Sequence, residues 1–132
     1  MILNKSQKML IGTAIGDAYG FDYEGKSFRK IIDKIDFTRY GKHHGNYSDD
    51  TQQTIAIAEL LSSDNAFTPV NLAIHLMEAY RRDPRRGYAS RTKTILKNAK
   101  DPIEFLRYRK KKPISNGSEM RTLPIGLSPN IE

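Results

Sequence analysis

An acidic motif at the predicted start of a helix is the part of this sequence best suited to chemistry. Ser48, Asp49 and Asp50 precede a long apolar stretch. The first turn of a helix has backbone N–H groups without a partner, and one side-chain acceptor there caps the helix. Two neighbouring carboxylates repel each other unless a cation or hydrogen bonds compensate, and their remaining oxygens suit a hard divalent cation. Metal binding therefore stands beside plain capping, in which Asp50 with Gln53, or Asp49 with Gln52, forms a capping box.

Two further acidic residues lie nearer the N-terminus. Asp17 falls within a predicted helix, where the favoured role is a buried, hydrogen-bonded carboxylate that ties helices together. Glu24 follows a predicted helix end, on a loop from which a long carboxylate can swing over a site. A functional role for Glu24 is a hypothesis that the residues alone do not settle.

Arginines surround an acid at a predicted helix end, in the run from Arg81 to Tyr88 that contains Asp83. Basic residues at a helix C-terminus complement the helix dipole, so a solvated basic turn is the favoured interpretation. Guanidinium groups also pair with carboxylate or phosphate, which leaves open a structural ion pair that holds Asp83 or contact with an acidic ligand.

A small-residue segment and a basic run follow near the C-terminus. Asn116 and Gly117 form a common turn pair, and small residues of this kind can also present backbone N–H groups to a phosphate or a ribose. The run from Arg107 to Lys112 resembles a nucleic-acid patch, although an exposed basic loop is the favoured account.

The elements that must position these residues are predicted to be helices throughout. The segment that begins at Asp50 is apolar around most of its circumference, which indicates a central, buried helix. Thr68 and Pro69 predict an N-cap and first turn, and Asp83 with Pro84 predicts the end of that helix. The predicted helices cover Ser6 to Tyr19, Phe28 to Ile35, Asp50 to Ser63, Pro69 to Arg82, Ser90 to Lys100 and Pro102 to Arg109.

Three glycines recur at every fourth position of the first predicted helix, at Gly12, Gly16 and Gly20. Each costs about 1 kcal/mol relative to alanine inside a helix, so their shared face suggests close approach to another backbone or a ligand.

Length and composition bound the class of protein. The 132 residues fit one domain, 1–132, and no apolar run approaches the length of a bilayer crossing or of a signal-peptide core, so we expect a soluble, cytoplasmic protein with no membrane partner. Cysteine is absent, which excludes disulfides, zinc-thiolate sites and thiol nucleophiles and favours oxygen ligands for any metal.

Charge is distributed unevenly along the chain. Residues 1–66 carry 8 Lys and Arg against 9 Asp and Glu, whereas residues 67–132 carry 14 against 6 and are therefore +8. Such asymmetry is typical of a nucleic-acid face, an acidic ligand such as a pyrophosphate, or an acidic partner segment, and charge alone does not choose among them.

Taken in order, these motifs resemble the ADP-ribosylglycohydrolase family, which includes the dinitrogenase-reductase-activating glycohydrolases. The matching residues are Gly12 to Gly20 with Asp17 and Glu24, Ser48 to Thr51, Arg82 to Tyr88, and Asn116-Gly117 through Met120-Arg121 to Gly126.

The resemblance implies an all-α, orthogonal helical domain with a two-magnesium centre, in which Mn²⁺ is an alternative ion. It implies hydrolysis of the N- or O-glycosidic bond between ADP-ribose and a protein side chain. By position, Ser48, Asp49 and Asp50 match the N-terminal metal ligands of the family, and Glu24 matches a mobile loop acid near the reacting ribose. We accordingly expect Glu24, Asp49 and Asp50 to be catalytic.

The resemblance also implies an ADP-ribose-binding loop, to which Asn116 and Gly117 correspond. We assign Ser118 and Asp83 to the same ligand-binding set. The expected partners are ADP-ribose or an ADP-ribosylated protein.

One departure from the family pattern has functional consequences. The family takes the other half of its metal site from an Asp-x-Asp-Thr motif near the C-terminus, and this sequence contains no Asp-x-Asp. We therefore expect the chain to correspond to the N-terminal half of the enzyme, apparently truncated, and to be inactive or incomplete alone. Apolar surface normally covered by later helices would then favour self-association or a complementing C-terminal segment.

Two hypotheses follow for function. The chain is part of a magnesium-dependent ADP-ribosyl hydrolase, or it is a truncated, non-catalytic homologue that binds ADP-ribose or nucleic acid. Nucleic acid is the less favoured ligand.

Overall fold

The protein is all-α in a computed structural model that describes residues 2–27, 46–108 and 117–128. The α-helices are α1 (Lys5–Gly20), α2 (Asp49–Leu61), α3 (Pro69–Arg82), α4 (Ser90–Asn98) and α5 (Pro102–Arg107), with 3₁₀ turns at Phe21–Tyr23 and Ile125–Leu127. These described ranges contain no strand, which confirms the predicted fold class. The helix predicted at 28–35 lies outside the described residues.

Local capping chemistry explains where the helices begin. The Asn4 side chain accepts from the backbone N of Gln7 at 2.9 Å, and the Gln7 side chain accepts from the backbone N of Asn4 at 3.0 Å, which forms a capping box for α1. Thr68 caps α3 through a 3.2 Å bond from the Asn71 backbone N, with Pro69 in the first turn as predicted.

Helix α2 begins at Asp49, one residue earlier than expected, with Ser48 as its N-cap. The Ser48 hydroxyl oxygen accepts from the Asp50 backbone N at 3.4 Å. The alternative in which Asp49 or Asp50 caps the helix is therefore wrong, because Ser48 takes the cap position.

Helix α2 is central, as its apolar circumference predicted. It packs chiefly against α3 and also against α1, while α3 contacts α4 and α5. Two apolar clusters hold the helices together, and Phe105 of α5 packs against both. Their buried members are Met77, Tyr80, Tyr88, Leu96 and Ala99 in one cluster, and Ala56, Leu76 and Ala79 in the other.

The glycine face of α1 does not pack closely against another described backbone, which leaves the ligand alternative as a prediction, since Gly16 and Gly20 line a cavity of about 310 Å³. Among the described residues, and apart from the neighbouring backbone of α1 itself, no heavy atom lies within 4 Å of a Cβ built at Gly12, Gly16 or Gly20. These glycines are therefore not required by close packing against the described helices.

Helix α1 has no buried residue, and several large apolar side chains are exposed, among them Ile11, Ile15 and Phe67. Self-association remains a prediction. Within the described residues, none of the helices has the length and apolar character needed to cross a bilayer.

Candidate active site

Asp17 of α1 positions the N-terminus of α2. Its Oδ2 accepts from the backbone N of Ser48 at 2.8 Å, from the backbone N of Thr51 at 3.1 Å and from the Thr51 hydroxyl at 2.6 Å. Two of the free N–H groups of the first turn are thus satisfied by a carboxylate from another helix. The predicted role of Asp17 as a brace between helices is confirmed.

The segment after α3 positions Asp49. The Asp49 backbone N donates to the Arg86 carbonyl at 2.9 Å, and Gly87 lies beside the Asp49 side chain with a φ of +95°. A Cβ at Gly87 would lie 1.9 Å from Asp49 Oδ1, so only glycine leaves room for the carboxylate in this position. The sequence showed a glycine here but gave no signal that it faces Asp49.

Gln52 joins α2 to the C-terminal end of α3 and to Tyr88, which follows Gly87. Its Nε2 donates to the Ala79 carbonyl at 3.1 Å and also to the Asp83 carbonyl, and its Oε1 accepts from the Tyr88 hydroxyl at 2.9 Å. Gln52 and Tyr88 are both buried, so these polar groups depend on each other for their hydrogen bonds.

Replacing Tyr88 with phenylalanine should therefore lower the free energy of unfolding by about 1–2 kcal/mol, because the buried Gln52 Oε1 loses its donor. Urea denaturation measures the effect. Tyr80→Phe is the matched control: Tyr80 is buried beside Tyr88, with ring centroids 5.3 Å apart, and its hydroxyl makes no hydrogen bond to the residues described. Equal losses for the two variants would contradict the role assigned to the Tyr88 hydroxyl.

The arginines near Asp83 make structural contacts. Arg85 forms an ion pair with Asp83, and its guanidinium lies 4.1 Å from the centroid of the Tyr47 ring. Arg86 donates from Nη2 to the Asn46 carbonyl at 2.8 Å and stacks 4.2 Å from the Phe21 ring centroid. The structural ion pair left open by the sequence is therefore present, and these arginines pin the segment that carries Gly87.

A cavity of about 1070 Å³ opens beside the N-terminus of α2. Glu24, Asp49 and Asp50 form its acidic part, and the turn that contains Gly117 and Ser118 also lines it. Much of the remaining wall is apolar and comes from Phe67, Leu72, Ala73, Leu76, Ile95, Phe105 and Leu106. A smaller cavity of about 310 Å³ is lined by Glu24 and Asp50 together with Asp17.

Burial, and then neighbouring negative charge, raises the pKa values of the three acidic residues of the cavity. Burial raises the pKa of Asp49 to about 6, and the negative charge of Asp50 adds to the shift, with smaller contributions from Glu24 and Asp17. The pKa of Asp50 is raised by burial and then by Asp17. The pKa of Glu24 is raised by burial and by Asp50 and Asp17, while Arg86 acts in the opposite direction.

This cluster fits a hard divalent cation chemically. Oxygen donors of adjacent carboxylates face one cavity, and their mutual repulsion is the kind that a bound cation relieves. Two of them, Asp49 and Asp50, are adjacent in the first turn of α2. This pair is smaller than a complete ligand set, and within the described ranges no group of three or more His, Cys, Asp or Glu residues is arranged to hold a metal ion.

The structure brings together five of the residues predicted for the site, namely Glu24, Asp49, Asp50, Gly117 and Ser118. Asn116 lies outside the described residues.

Ser48 and Asp83 line neither cavity. Ser48 is fully buried and uses its hydroxyl as the N-cap, whereas Asp83 ends α3 and pairs with Arg85. Metal binding by Ser48 and ligand binding by Asp83 remain predictions.

Gln53 and Arg121 are among the cavity-lining residues that sequence reasoning did not assign to the site. Gln53 lies one helical turn after Asp49, a spacing that places the two side chains on one face of α2 and offered a usable signal. Arg121 appeared in a motif, but nothing in the sequence indicated its partner.

Comparisons with known proteins agree with the motifs. Residues 2–131 match the ADP-ribosylglycohydrolase family. ADP-ribosylhydrolase ARH3 of Gallus gallus is 28% identical over 140 residues, which cover 90% of this chain and 38% of that protein. ADP-ribosylhydrolase ARH3 of Homo sapiens is 27% identical, over 96% of this chain and 40% of that protein.

An uncharacterized protein of Archaeoglobus fulgidus is 31% identical, over 93% of this chain and 42% of its own length. The chain thus spans about two fifths of the length of these curated relatives. No solved structure gives a significant match.

Proposed function

The chain belongs to the ADP-ribosylglycohydrolase family, and from that premise we propose that its acidic cavity is part of the active site of an ADP-ribosyl hydrolase. The reaction is hydrolysis of the glycosidic bond between ADP-ribose and a protein side chain. The observation that carries the proposal is the convergence of Glu24, Asp49 and Asp50 with the Gly117–Ser118 turn on one cavity.

Asp49 and Asp50 would hold Mg²⁺, or Mn²⁺ in its place. When bound, such an ion orients ribose hydroxyls and makes a water molecule more acidic. Asp49 is held at its backbone N by the Arg86 carbonyl and at Oδ2 by Gln53, so its carboxylate is oriented before any ion arrives. This arrangement reduces the ordering that binding must otherwise impose.

Glu24 is suited to move protons in this cavity. Its pKa is raised by burial and by the neighbouring carboxylates, which brings its two protonation states closer in population near neutral pH. It follows the 3₁₀ turn at the end of α1 and is exposed on a turn, from which a long side chain can reach a reacting group.

The turn at Gly117 and Ser118 would contact the ADP-ribose portion of the substrate. Backbone N–H groups of small residues approach a diphosphate closely, and the half-buried Arg121 adds a guanidinium to the same cavity wall. Arg121 therefore adds a positive charge to the cavity that holds the acidic residues, and a substrate with a diphosphate and a reacting sugar would use both.

We propose that hydrolysis by this chain alone is weak or absent. Relatives are much longer than this chain, and the resemblance assigns additional metal ligands to an Asp-x-Asp-Thr motif that the sequence does not contain. A segment bearing that motif, supplied in trans from a relative, would complete the ligand set.

Calorimetry and a product assay test the proposal together. The chain should bind Mg²⁺ and ADP-ribose, and addition of the Asp-x-Asp-Thr segment should produce magnesium-dependent release of ADP-ribose from a modified protein. The same segment mixed with the Asp50→Asn variant is the control and should release none. Failure to bind either ligand, or failure of complementation with a folded segment, would refute the proposal.

The strong positive charge of residues 67–132, a net +8, supports a second candidate, a non-catalytic module that binds ADP-ribose or nucleic acid. Exposed basic side chains on α4 include Arg91, Lys93 and Lys97. A nucleic-acid affinity that falls steeply with salt, together with no affinity for ADP-ribose, would favour a nucleic-acid module over the hydrolase. ADP-ribose binding without release of product after complementation would favour a non-catalytic ADP-ribose module.

A further inference from the structure

Gln53 connects Asp49, in the acidic part of the cavity, to Arg121 of the C-terminal turn. The side chain is 4% exposed, its Nε2 donates to Asp49 Oδ2 at 3.2 Å, and its Oε1 accepts from Arg121 Nη1. A guanidinium has only donors, so the contact with Arg121 requires Oε1 on that side and leaves Nε2 directed at Asp49. The orientation of the amide is therefore determined by its two charged partners.

A second contact joins the same two segments. The Thr54 hydroxyl lies 2.8 Å from the Asp50 carbonyl and 3.3 Å from the Met120 carbonyl. Successive residues of α2 thus meet successive residues of the turn, which places Arg121 in a defined position relative to Asp49.

We propose that Gln53 is a positioning residue for the cation site and that Arg121 acts on Asp49 through it. The inference rests on the proposed cation site at Asp49 and Asp50. An amide carries no net charge, so Gln53 holds the carboxylate without neutralising the charge that a cation needs. Arg121 in turn holds the amide, and neither residue needs to touch the ion.

The direction in which cation affinity changes when Arg121 is replaced distinguishes a positioning role from a purely electrostatic one. Removing a positive charge near a cation site should strengthen cation binding if only Coulomb interactions matter. If Arg121 instead holds Gln53 in place, its removal frees the amide and the carboxylate, and cation binding should weaken. The two accounts therefore predict opposite results for Arg121→Met.

The experiment titrates the full chain with Mn²⁺, followed by electron paramagnetic resonance, with Mg²⁺ as competitor. The variants are Gln53→Met, Arg121→Met and the double variant. Each single variant should lose roughly tenfold in affinity, the lower end of the range for partners that orient a metal ligand. The double variant should bind no more weakly than Gln53→Met, because Arg121 acts through that residue.

Arg91→Met is the matched control. Arg91 also lines the cavity, but it is exposed and donates to the Tyr108 carbonyl at 3.1 Å instead of contacting Gln53. Its removal should leave cation affinity unchanged or slightly increased, as electrostatics alone predicts. Circular dichroism checks that each variant is folded, and Gln53→Met, which alters no charge, carries the test if Arg121→Met does not fold.

The outcomes distinguish this inference from the proposed function. A wild-type chain that binds neither Mn²⁺ nor Mg²⁺ overturns the cation site and the inference with it. A wild-type chain that binds, with folded Gln53→Met or Arg121→Met variants that bind equally or more tightly, overturns the inference alone. Additive losses in the double variant overturn the claim that Arg121 acts through Gln53.

Discussion

Replacing Gly87 with alanine should destabilise the chain by about 3 kcal/mol, as the sum of a left-handed backbone cost of roughly 1–2 kcal/mol and an overpacking cost of similar size. The φ of +95° is unfavourable for a residue with a Cβ. The added Cβ would also lie 1.9 Å from Asp49 Oδ1 and 3.2 Å from Ser48 Cβ. Rotation of the Asp49 carboxylate away from that Cβ is opposed by its hydrogen bond from Gln53 Nε2.

The same substitution should therefore weaken Mn²⁺ binding as well as folding. Urea denaturation and the Mn²⁺ titration measure the two effects. Gly25→Ala is the matched control: its φ is +69°, and nothing among the described residues lies within 4 Å of a Cβ there, so only the backbone cost of about 1–2 kcal/mol is expected. A Gly87→Ala variant as stable as Gly25→Ala, with undiminished Mn²⁺ affinity, would show that Gly87 does not constrain Asp49.

Replacing Asp49 with asparagine should reduce cation affinity by more than about 100-fold, because partners that merely orient a ligand are already worth 10- to 100-fold. The same variant should gain stability at neutral pH in the absence of cation. Asp49 is 7% exposed, and its pKa is raised to about 6 from a usual value of 3.8. The folded chain therefore binds the Asp49 proton more tightly than the unfolded chain does.

The pH dependence of stability follows from this difference. Below about pH 4 the carboxyl is protonated in both states, and the wild type has its full stability from this group. As the pH rises through about 6, the folded state must ionise a buried acid, and stability falls by on the order of 2 kcal/mol in the cation-free chain. Asparagine stays neutral, so the variant should not show this loss.

Urea denaturation between pH 4 and pH 8, in chelator and then in Mg²⁺, measures the effect. Added Mg²⁺ should restore stability to the wild type and leave Asp49→Asn unchanged. Asp64→Asn makes the same change of charge at an exposed loop position and should behave as the wild type does. If the cation-free Asp49→Asn variant were less stable than the wild type at pH 8, ionised Asp49 would not destabilise the cation-free folded chain, and the prediction would be wrong.

Helices and their ends were predicted well where the determining contacts are local. Thr68 and Pro69 begin α3, and Asp83 with Pro84 follows its end, because caps and proline act within one turn of the chain. The choice of cap for α2 was missed, since Ser48, Asp49 and Asp50 are all capable acceptors in sequence. Contacts from Asp17 and Arg86 select Ser48, and neither residue is close to α2 along the chain.

The glycines also show that sequence spacing does not reveal which residues lie opposite one another in the fold. Gly12, Gly16 and Gly20 share a helix face by local periodicity, yet no described backbone packs closely against it, and Gly16 and Gly20 line the smaller cavity instead. Gly87 appeared in the sequence as one member of a basic turn, and its constraint is visible only when Asp49 is placed beside it. Spacing shows which residues share a face, but it does not show what lies opposite.

The sequence by itself determined the helical class, the family and the identity of the candidate acids, because these depend on composition, on local hydrogen bonding and on ordered motifs. The tertiary structure decided which oxygens are occupied as caps and braces and which face the cavity, and it identified Gln53 as the link to Arg121. The physical reason is separation along the chain. Asp17 holds Ser48 across 31 positions and Arg121 holds Gln53 across 68, so these contacts exist only after the helices have packed.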